Sequence, residues 1–491
     1  MLSDPFYHII EIITNHFLTT LKSGFHNKIP PHQSAKQFLR AQKQIMMILL
    51  VKPEPSDSGF SLDMALRTEP LELEYISAML READIHCYLY EAAADPHTFE
   101  ELLAKYHPAA VAVTGYITQE NRIKDYAKRA KAFDPGILTL VGGSHAQQNP
   151  QRFFEPDIDF ICRSDNIYAI LDVLQQKPFE NIDGLCYDTC EGWKMNPVEA
   201  FDINLLPIPD RSHMEHYLSP YRYRDVHPVA LLKTSTSCPH HCSFCYGRTL
   251  NKGTYCQRDL SLVIEEIRGI ASPNIQIVDD DFLYDADRLW QFIALIRSHN
   301  IHKTFICYGR ADFITENQEL MKALAGIGLK YVMVGLEAVS NRQLDSYAKG
   351  TSLNVNCACI RLLRELSIHP VGLFIVDIRF RRKDFRNLRR FIRSMDLAYT
   401  GISIFTPIPG TALYQQYEKR LLTADPEKWD FMHLVVPPVH LSRFCFYLEY
   451  FRLVMDLFRL AQKKGIYSFL RLNGYKHIFR RLLFQEGLRT K

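Results

Sequence analysis

Two blocks of apolar, β-rich runs alternating with amphipathic helical stretches leave this chain few ways to fold. In the first block, residues 45–177, runs at Ile45 to Val51, His86 to Tyr90, Ala109 to Thr114, Ile137 to Val141 and Asp159 to Cys162 are separated by helical stretches such as Leu71 to Glu82 and Gln119 to Phe133. Strands separated by helices predict βαβ crossovers and a parallel sheet, an α/β layer structure of Rossmann or flavodoxin type that binds ligands at its carboxyl strand ends. In the second block, residues 229–415, six runs start at Val229, Asn274, Lys303, Tyr331, Val371 and Ile402, with a helical stretch after each of the first five. Six units fall two short of a closed eightfold barrel, so a partial (β/α)6 TIM-like barrel with an open side is expected.

The remaining segments frame these blocks. Residues 1–44 read as a helical extension, because Phe6, Ile9, Ile10, Ile13, Phe17 and Leu21 recur at helical spacing behind Ser3, Asp4 and Pro5. Residues 178–228 are proline-rich and carry a hairpin signal at Cys190, Glu191 and Gly192, which makes them a linker with a small β element. Residues 416–491 are helical and aromatic, and are expected to cap the open barrel side, with shaping a hydrophobic substrate site as the alternative. They end in a basic cluster of His477, Arg480, Arg481, Arg489 and Lys491. That cluster reads as a solvated helix face, with peripheral membrane contact as the alternative.

Charge and hydropathy narrow the partners. Lys plus Arg number 58 against 55 for Asp plus Glu, a net charge of +3, so no nucleic acid partner is expected. No run of about 18 uncharged apolar residues occurs, so no transmembrane segment is expected. The N-terminus lacks the basic leader of a signal peptide, which points to a cytoplasmic, reducing location.

Twelve cysteines in such a chain point to metal or thiol chemistry rather than to disulfides. Three of them form Cys238-Pro-His-His-Cys242-Ser-Phe-Cys245, directly after the first strand of the second block. Three thiolates on one loop suit three irons of a [4Fe–4S] cluster and leave the fourth iron open to a small molecule. A non-enzymatic module is the competing reading, with zinc completed by His240 or His241, or with a cluster used only for electron transfer. The other nine cysteines, among them Cys87, Cys162, Cys307 and Cys357, read as packing residues.

At these cysteines the sequence resembles the radical S-adenosylmethionine (SAM) superfamily. Further matching segments are Val278-Asp279-Asp280-Asp281-Phe282, Tyr308-Gly309-Arg310-Ala311-Asp312, Val334-Gly335-Leu336-Glu337-Ala338-Val339-Ser340 and Thr406-Pro407-Ile408-Pro409-Gly410-Thr411. The resemblance implies that Cys238, Cys242 and Cys245 hold the cluster. It places Phe244, Asp279, Asp280, Arg310, Glu337 and Ser340 around SAM, with Asp279 and Asp280 replacing the usual Gly-Gly-Glu and Arg310 either meeting the SAM carboxylate or pairing with Asp312.

The first block resembles the cobalamin-binding domain fused to one branch of that superfamily, through Glu69 to Tyr75, Val113-Thr114-Gly115 and Val141-Gly142-Gly143-Ser144-His145. Thr114, Gly115, Gly142 and Gly143 are then the expected cobalamin contacts. Lys52 to Thr68 contains no histidine, so the cobalt is expected to lack a protein histidine ligand. His145 reads as a loop residue near the ligand edge, and Ser164 or Asp165 as the cap of the following helix.

The implied chemistry is reductive cleavage of SAM to a 5′-deoxyadenosyl radical and C-methylation of an unactivated carbon. An oxidative cyclase or rearrangement enzyme of the anaerobic magnesium-protoporphyrin ester cyclase group is the alternative. A small-molecule substrate of hydrophobic character and a reductant such as flavodoxin or ferredoxin complete the expected partners.

Overall fold

A computed structural model describes residues 46–56, 66–215 and 221–467. The expected N-terminal helix over Phe6 to Leu21 and the basic cluster from His477 to Lys491 lie outside these residues.

The first block forms a sheet of seven strands: β1 (Met47–Lys52), β2 (His86–Glu91), β3 (Ala110–Thr114), β4 (Leu138–Gly142), β5 (Phe160–Cys162), β6 (Leu185–Thr189) and β7 (Gly192–Met195), in the order β2-β1-β3-β4-β5-β6-β7. The first five are parallel, in the flavodoxin-like order whose switch point lies between β1 and β3. Side chains alternate across this sheet: Ile48 and Leu50 pack with helix α1 (Leu71–Glu82) on one face, while Leu49 and Val51 pack with α2 (Phe99–Tyr106) and α3 (Glu120–Phe133) on the other. Each such fully buried side chain contributes roughly 1.5–3 kcal/mol. The chain enters α2 through a capping box in which Glu101 N donates to Thr98 Oγ1 at 3.3 Å and Thr98 N donates to Glu101 at 2.7 Å.

The hairpin signalled at Cys190 to Gly192 is the β6–β7 turn. It does not stand apart as a linker element, because β6 pairs antiparallel with β5 and extends the sheet.

The second block forms six parallel strands in sequential order: β8 (Ala230–Leu232), β9 (Asn274–Ile277), β10 (Thr304–Gly309), β11 (Leu329–Glu337), β12 (His369–Val376) and β13 (Tyr399–Ile404). The run expected from Val229 to Thr236 is broken. Only Ala230–Leu232 joins the sheet, and Ser235–Thr236 turns away to pair antiparallel with Cys256–Gln257.

An open sheet leaves two edges to cover. At the β8 edge, Leu71 and Tyr75 of α1 pack on Leu231, and Glu69 accepts a 2.6 Å hydrogen bond from Leu231 N. Arg211 bridges Glu69 at 3.3 Å and Glu266 at 2.9 Å, and the fully buried Arg258 also pairs with Glu266. At the β13 edge, helix α14 (Arg443–Lys463) packs against β13 and against helix α12 (Arg382–Ser394), with Tyr450 Oη donating to Ile402 O at 2.8 Å. The ionic contacts around Arg211 fix the two sheets against one another, and the candidate site lies between them.

Candidate active site

A single cavity of about 740 Å³ lies between the carboxyl strand ends of the two sheets and is lined by residues of both. Cys238, Cys242 and Cys245 all reach it, together with Phe244, Asp279, Asp280, Arg310 and Glu337 from the second block and Thr114, Gly142 and Gly143 from the first. Two expected residues do not line it. Gly115 lies against Gln119 and Ile123, where a Cβ would meet the Gln119 side chain at 3.0 Å, so its role is packing. Ser340 is exposed and leads into the helix Asn341–Ser346.

Polar neighbours hold the cysteine loop. His240 Nε2 lies 3.0 Å from Asp281 Oδ2, so this histidine tethers the loop to the end of β9. Gly247 N donates to Cys245 Sγ at 3.3 Å, and Arg310 Nη1 lies 3.9 Å from Cys242 Sγ. Desolvation pushes the Cys238 thiol up to about 12 and the Cys245 thiol up to about 11, so a bound cation must favour their thiolates. Among the described residues, no three His, Cys, Asp or Glu side chains converge as ligands of one metal ion.

The three aspartates after β9 have separate tasks. Asp279 accepts from Thr234 N at 2.6 Å and from Thr234 Oγ1 at 2.5 Å, which braces the end of β8. Asp281 holds His240. Asp280 faces the cavity with no hydrogen bond from the described residues, and desolvation, opposed by Lys233, raises its carboxyl to about 6. Arg310 pairs with Asp312 at 2.6 Å and donates to Lys349 O at 2.7 Å.

Glu337 sits where the register between β11 and β12 slips, with a left-handed φ of 57° that turns its carboxylate toward the cavity. Its Oε1 accepts from Lys349 Nζ at 3.0 Å, and both residues are buried. Gly335 makes room for that pair: a Cβ there would lie 2.3 Å from Glu337 Oε1 and 2.6 Å from Lys349 Nζ. Lys349, His240 as a tether and Asp281 were not legible beforehand, since no spacing links Lys349 to Glu337 twelve residues earlier.

On the first sheet, Gly143 adopts φ 93° and ψ 166° between β4 and the short helix Ser144–Gln148, a region open essentially to glycine alone. A Cβ there would stand 2.6 Å from Thr114 Oγ1. His145 is not at the ligand edge. It is buried, with Nε2 2.8 Å from Glu120 Oε2. Neither Ser164 nor Asp165 caps the following helix Tyr168–Leu174, whose N-cap is Ile167; Asn166, just before it, accepts from Tyr168 N at 3.0 Å through Oδ1. Asp165 accepts from Thr236 Oγ1 at 3.1 Å across the two blocks, and Ser164 faces the cavity.

Residues 62–173 match the B12 binding domain model and residues 232–392 match that of the radical SAM superfamily. The chain is a radical SAM protein with a cobalamin-binding domain. This radical SAM protein is similar to the hopanoid C-3 methylase of Methylococcus capsulatus, 27% identical over 404 residues that cover 80% of this chain and 76% of that one. It is also similar to the anaerobic magnesium-protoporphyrin IX monomethyl ester cyclase of Cereibacter sphaeroides, 23% identical with 81% and 68% covered. Its fold matches the cobalamin-dependent SAM radical enzyme OxsB with aqua-cobalamin and SAM bound, at a TM-score of 0.68 and 15% identity. That match covers 84% of this chain, which spans about two thirds of the OxsB chain, 66%.

A [4Fe–4S] cluster, SAM and cobalamin are the cofactors of this domain pair, and the cavity suits them. Ser164 Oγ, Gln276 Oε1 and Asp281 Oδ1 are buried along its wall without a hydrogen-bond partner among the described residues, which marks a wall shaped for a polar ligand. The glycine turn at Gly142 and Gly143 lets backbone approach a flat ligand. Among the described residues no helix is long and apolar enough to cross a membrane.

Proposed function

We propose that this radical SAM enzyme methylates an unactivated carbon of a hydrophobic small molecule. The observation that carries this reading is the single cavity into which the cysteine loop of one domain and the Gly142-Gly143 turn of the other both open. When bound, the cluster and SAM supply a 5′-deoxyadenosyl radical and cobalamin supplies a methyl group; the protein contributes ligands, orientation and exclusion of water.

Within this reading, Cys238, Cys242 and Cys245 bind the cluster. Asp280, the one open carboxylate of its trio, receives the SAM ammonium, and Phe244 lies beside the adenine. Glu337 accepts hydrogen bonds from the ribose hydroxyls with its second oxygen, Oε2, while Oε1 stays with Lys349. Arg310 stays with Asp312 and places its positive charge beside Cys242 rather than on the SAM carboxylate.

Thr114, Gly142 and Gly143 bound the cobalamin. No histidine of the described first domain lines the cavity, which supports a cobalt without a protein histidine ligand. Leu231, Met333 and Leu373 give the barrel interior an apolar wall that suits a hydrophobic substrate. A reducing cytoplasm fits the twelve cysteines, none of which is paired.

The test counts products. Anaerobically reconstituted protein with SAM, hydroxocobalamin and Ti(III) citrate is expected to form both S-adenosylhomocysteine and 5′-deoxyadenosine. 5′-Deoxyadenosine alone would transfer the reading to a cyclase or rearrangement enzyme. Neither product, together with stoichiometric zinc, would leave only a metal module.

A further inference from the structure

Positive charge is concentrated on one face of this nearly neutral chain. Eight cationic side chains fall between Arg379 and Arg393, against a single carboxylate, Asp384, while the whole chain carries +3. Arg381, Lys383, Arg386 and Arg390 are exposed and form no ion pair among the described residues. Arg381, Arg382 and Lys383 occupy the N-cap and first two positions of α12. There the helix dipole presents its positive end and disfavours cations by about 0.3–1 kcal/mol each. Arg382 is compensated by Glu449 at 3.8 Å, but for Arg381 and Lys383 stability gives no reason for this placement.

A short chain of contacts links this face to the cysteine loop. The Phe244 ring, between Cys242 and Cys245, packs against Tyr347 at 5.5 Å, and Ser243 N donates to Tyr347 O at 3.1 Å. Tyr347 Oη donates to Asp377 Oδ2 at 2.9 Å, and Asp377 accepts from Arg379 Nη2 at 2.7 Å. Arg379 is half exposed and opens the cationic run. From the cysteine loop to this surface the path crosses only Phe244, Tyr347 and Asp377.

We propose that the face around Arg381, Lys383 and Arg386 docks an acidic one-electron carrier protein of the flavodoxin or ferredoxin type, which reduces the cluster through this contact. The proposal rests on the functional reading above, because that chemistry draws one electron per SAM cleavage from outside the chain. With flavodoxin the balance closes simply. The anionic flavin hydroquinone loses one electron and becomes the neutral semiquinone, the oxidised cluster gains that electron, and no proton moves. Charge complementarity speeds such an encounter and makes it sensitive to salt.

The test uses reconstituted full-length protein and purified flavodoxin hydroquinone. Lys383 and Arg386 are exposed and form no ion pair among the described residues, so Lys383→Glu/Arg386→Glu retains the fold. Flavodoxin binding, read by calorimetry at low and moderate salt, is expected to weaken about tenfold and to lose its salt dependence. Stopped-flow reduction of the cluster by flavodoxin is expected to slow about tenfold, with Lys383→Gln/Arg386→Gln in between, while dithionite reduces all three proteins equally. Wild-type binding and reduction rates in the charge-reversed variant would overturn the proposal. So would an unchanged flavodoxin rate coupled to lost binding of phosphatidylglycerol vesicles, which would assign the face to a membrane. A wild-type chain that shows no cluster signal with dithionite would remove the functional reading and the docking site with it.

Discussion

Gly143→Ala probes the first-domain wall of the cavity, and the structure sets the size of its effect. The backbone at φ 93° and ψ 166° lies in a region that costs a residue with a Cβ about 1–3 kcal/mol. The added methyl would also stand 2.6 Å from Thr114 Oγ1, an overpacking contact of the kind that costs about 1–3 kcal/mol. Taking about 3 kcal/mol together and a urea slope of about 2 kcal/mol per molar for one domain, the unfolding midpoint falls by about 1.5 M. Urea unfolding of the apoprotein by circular dichroism measures this shift, and titration with hydroxocobalamin follows the site. Thr114→Ala separates the two costs: the Thr114 hydroxyl forms no hydrogen bond among the described residues, so its loss alone costs under about 1 kcal/mol. The double variant is expected to recover the clash and keep the backbone strain. A Gly143→Ala protein as stable as the parent, or a double variant no better than the single one, would refute the reasoning.

The cysteines and the buried acid of the first domain carry two more expectations. Cys242→Ala is expected to abolish the [4Fe–4S] absorbance and EPR signal of reconstituted protein, while Cys445→Ala, on the surface of α14, retains both; equal loss in the two would break the ligand assignment. Desolvation disfavours ionised Glu120, but hydrogen bonds from His145 and Arg152 outweigh it and hold its carboxyl down at about 2. Its contribution to stability is thus complete above the unfolded value of about 4.5 and is lost as pH falls toward 2. The stability gap between parent and Glu120→Gln should narrow by about 3 kcal/mol across that window. A gap independent of pH in thermal melts would show that the carboxylate charge is irrelevant there.

Much of the fold was written in local pattern. Buried parallel strands need apolar, β-branched runs, and crossover helices need amphipathic periodicity, so β3, β10 and α1 lie within a residue or so of their expected places. Where a run served two structures, pattern failed: Val229 to Thr236 reads as one strand, but only Ala230–Leu232 finds a parallel partner in β9. Ser164 and Asp165 have the local chemistry of a helix cap but do not serve as one, because they face the cavity instead.

The same division runs through the site. The loop Cys238 to Cys245 was legible because its three candidate ligands sit within eight residues of chain, and spacing that short is nearly geometry. The partners of those ligands were not, since Arg310 reaches Cys242 and His240 reaches Asp281 only after β9 and β10 have placed them side by side. The sequence by itself therefore determined two α/β layers and the cysteine triplet between them. Only the tertiary structure decided that the two layers share one cavity, which of its aspartates is left open and which cations surround the cysteines, because these depend on contacts between residues distant in the chain.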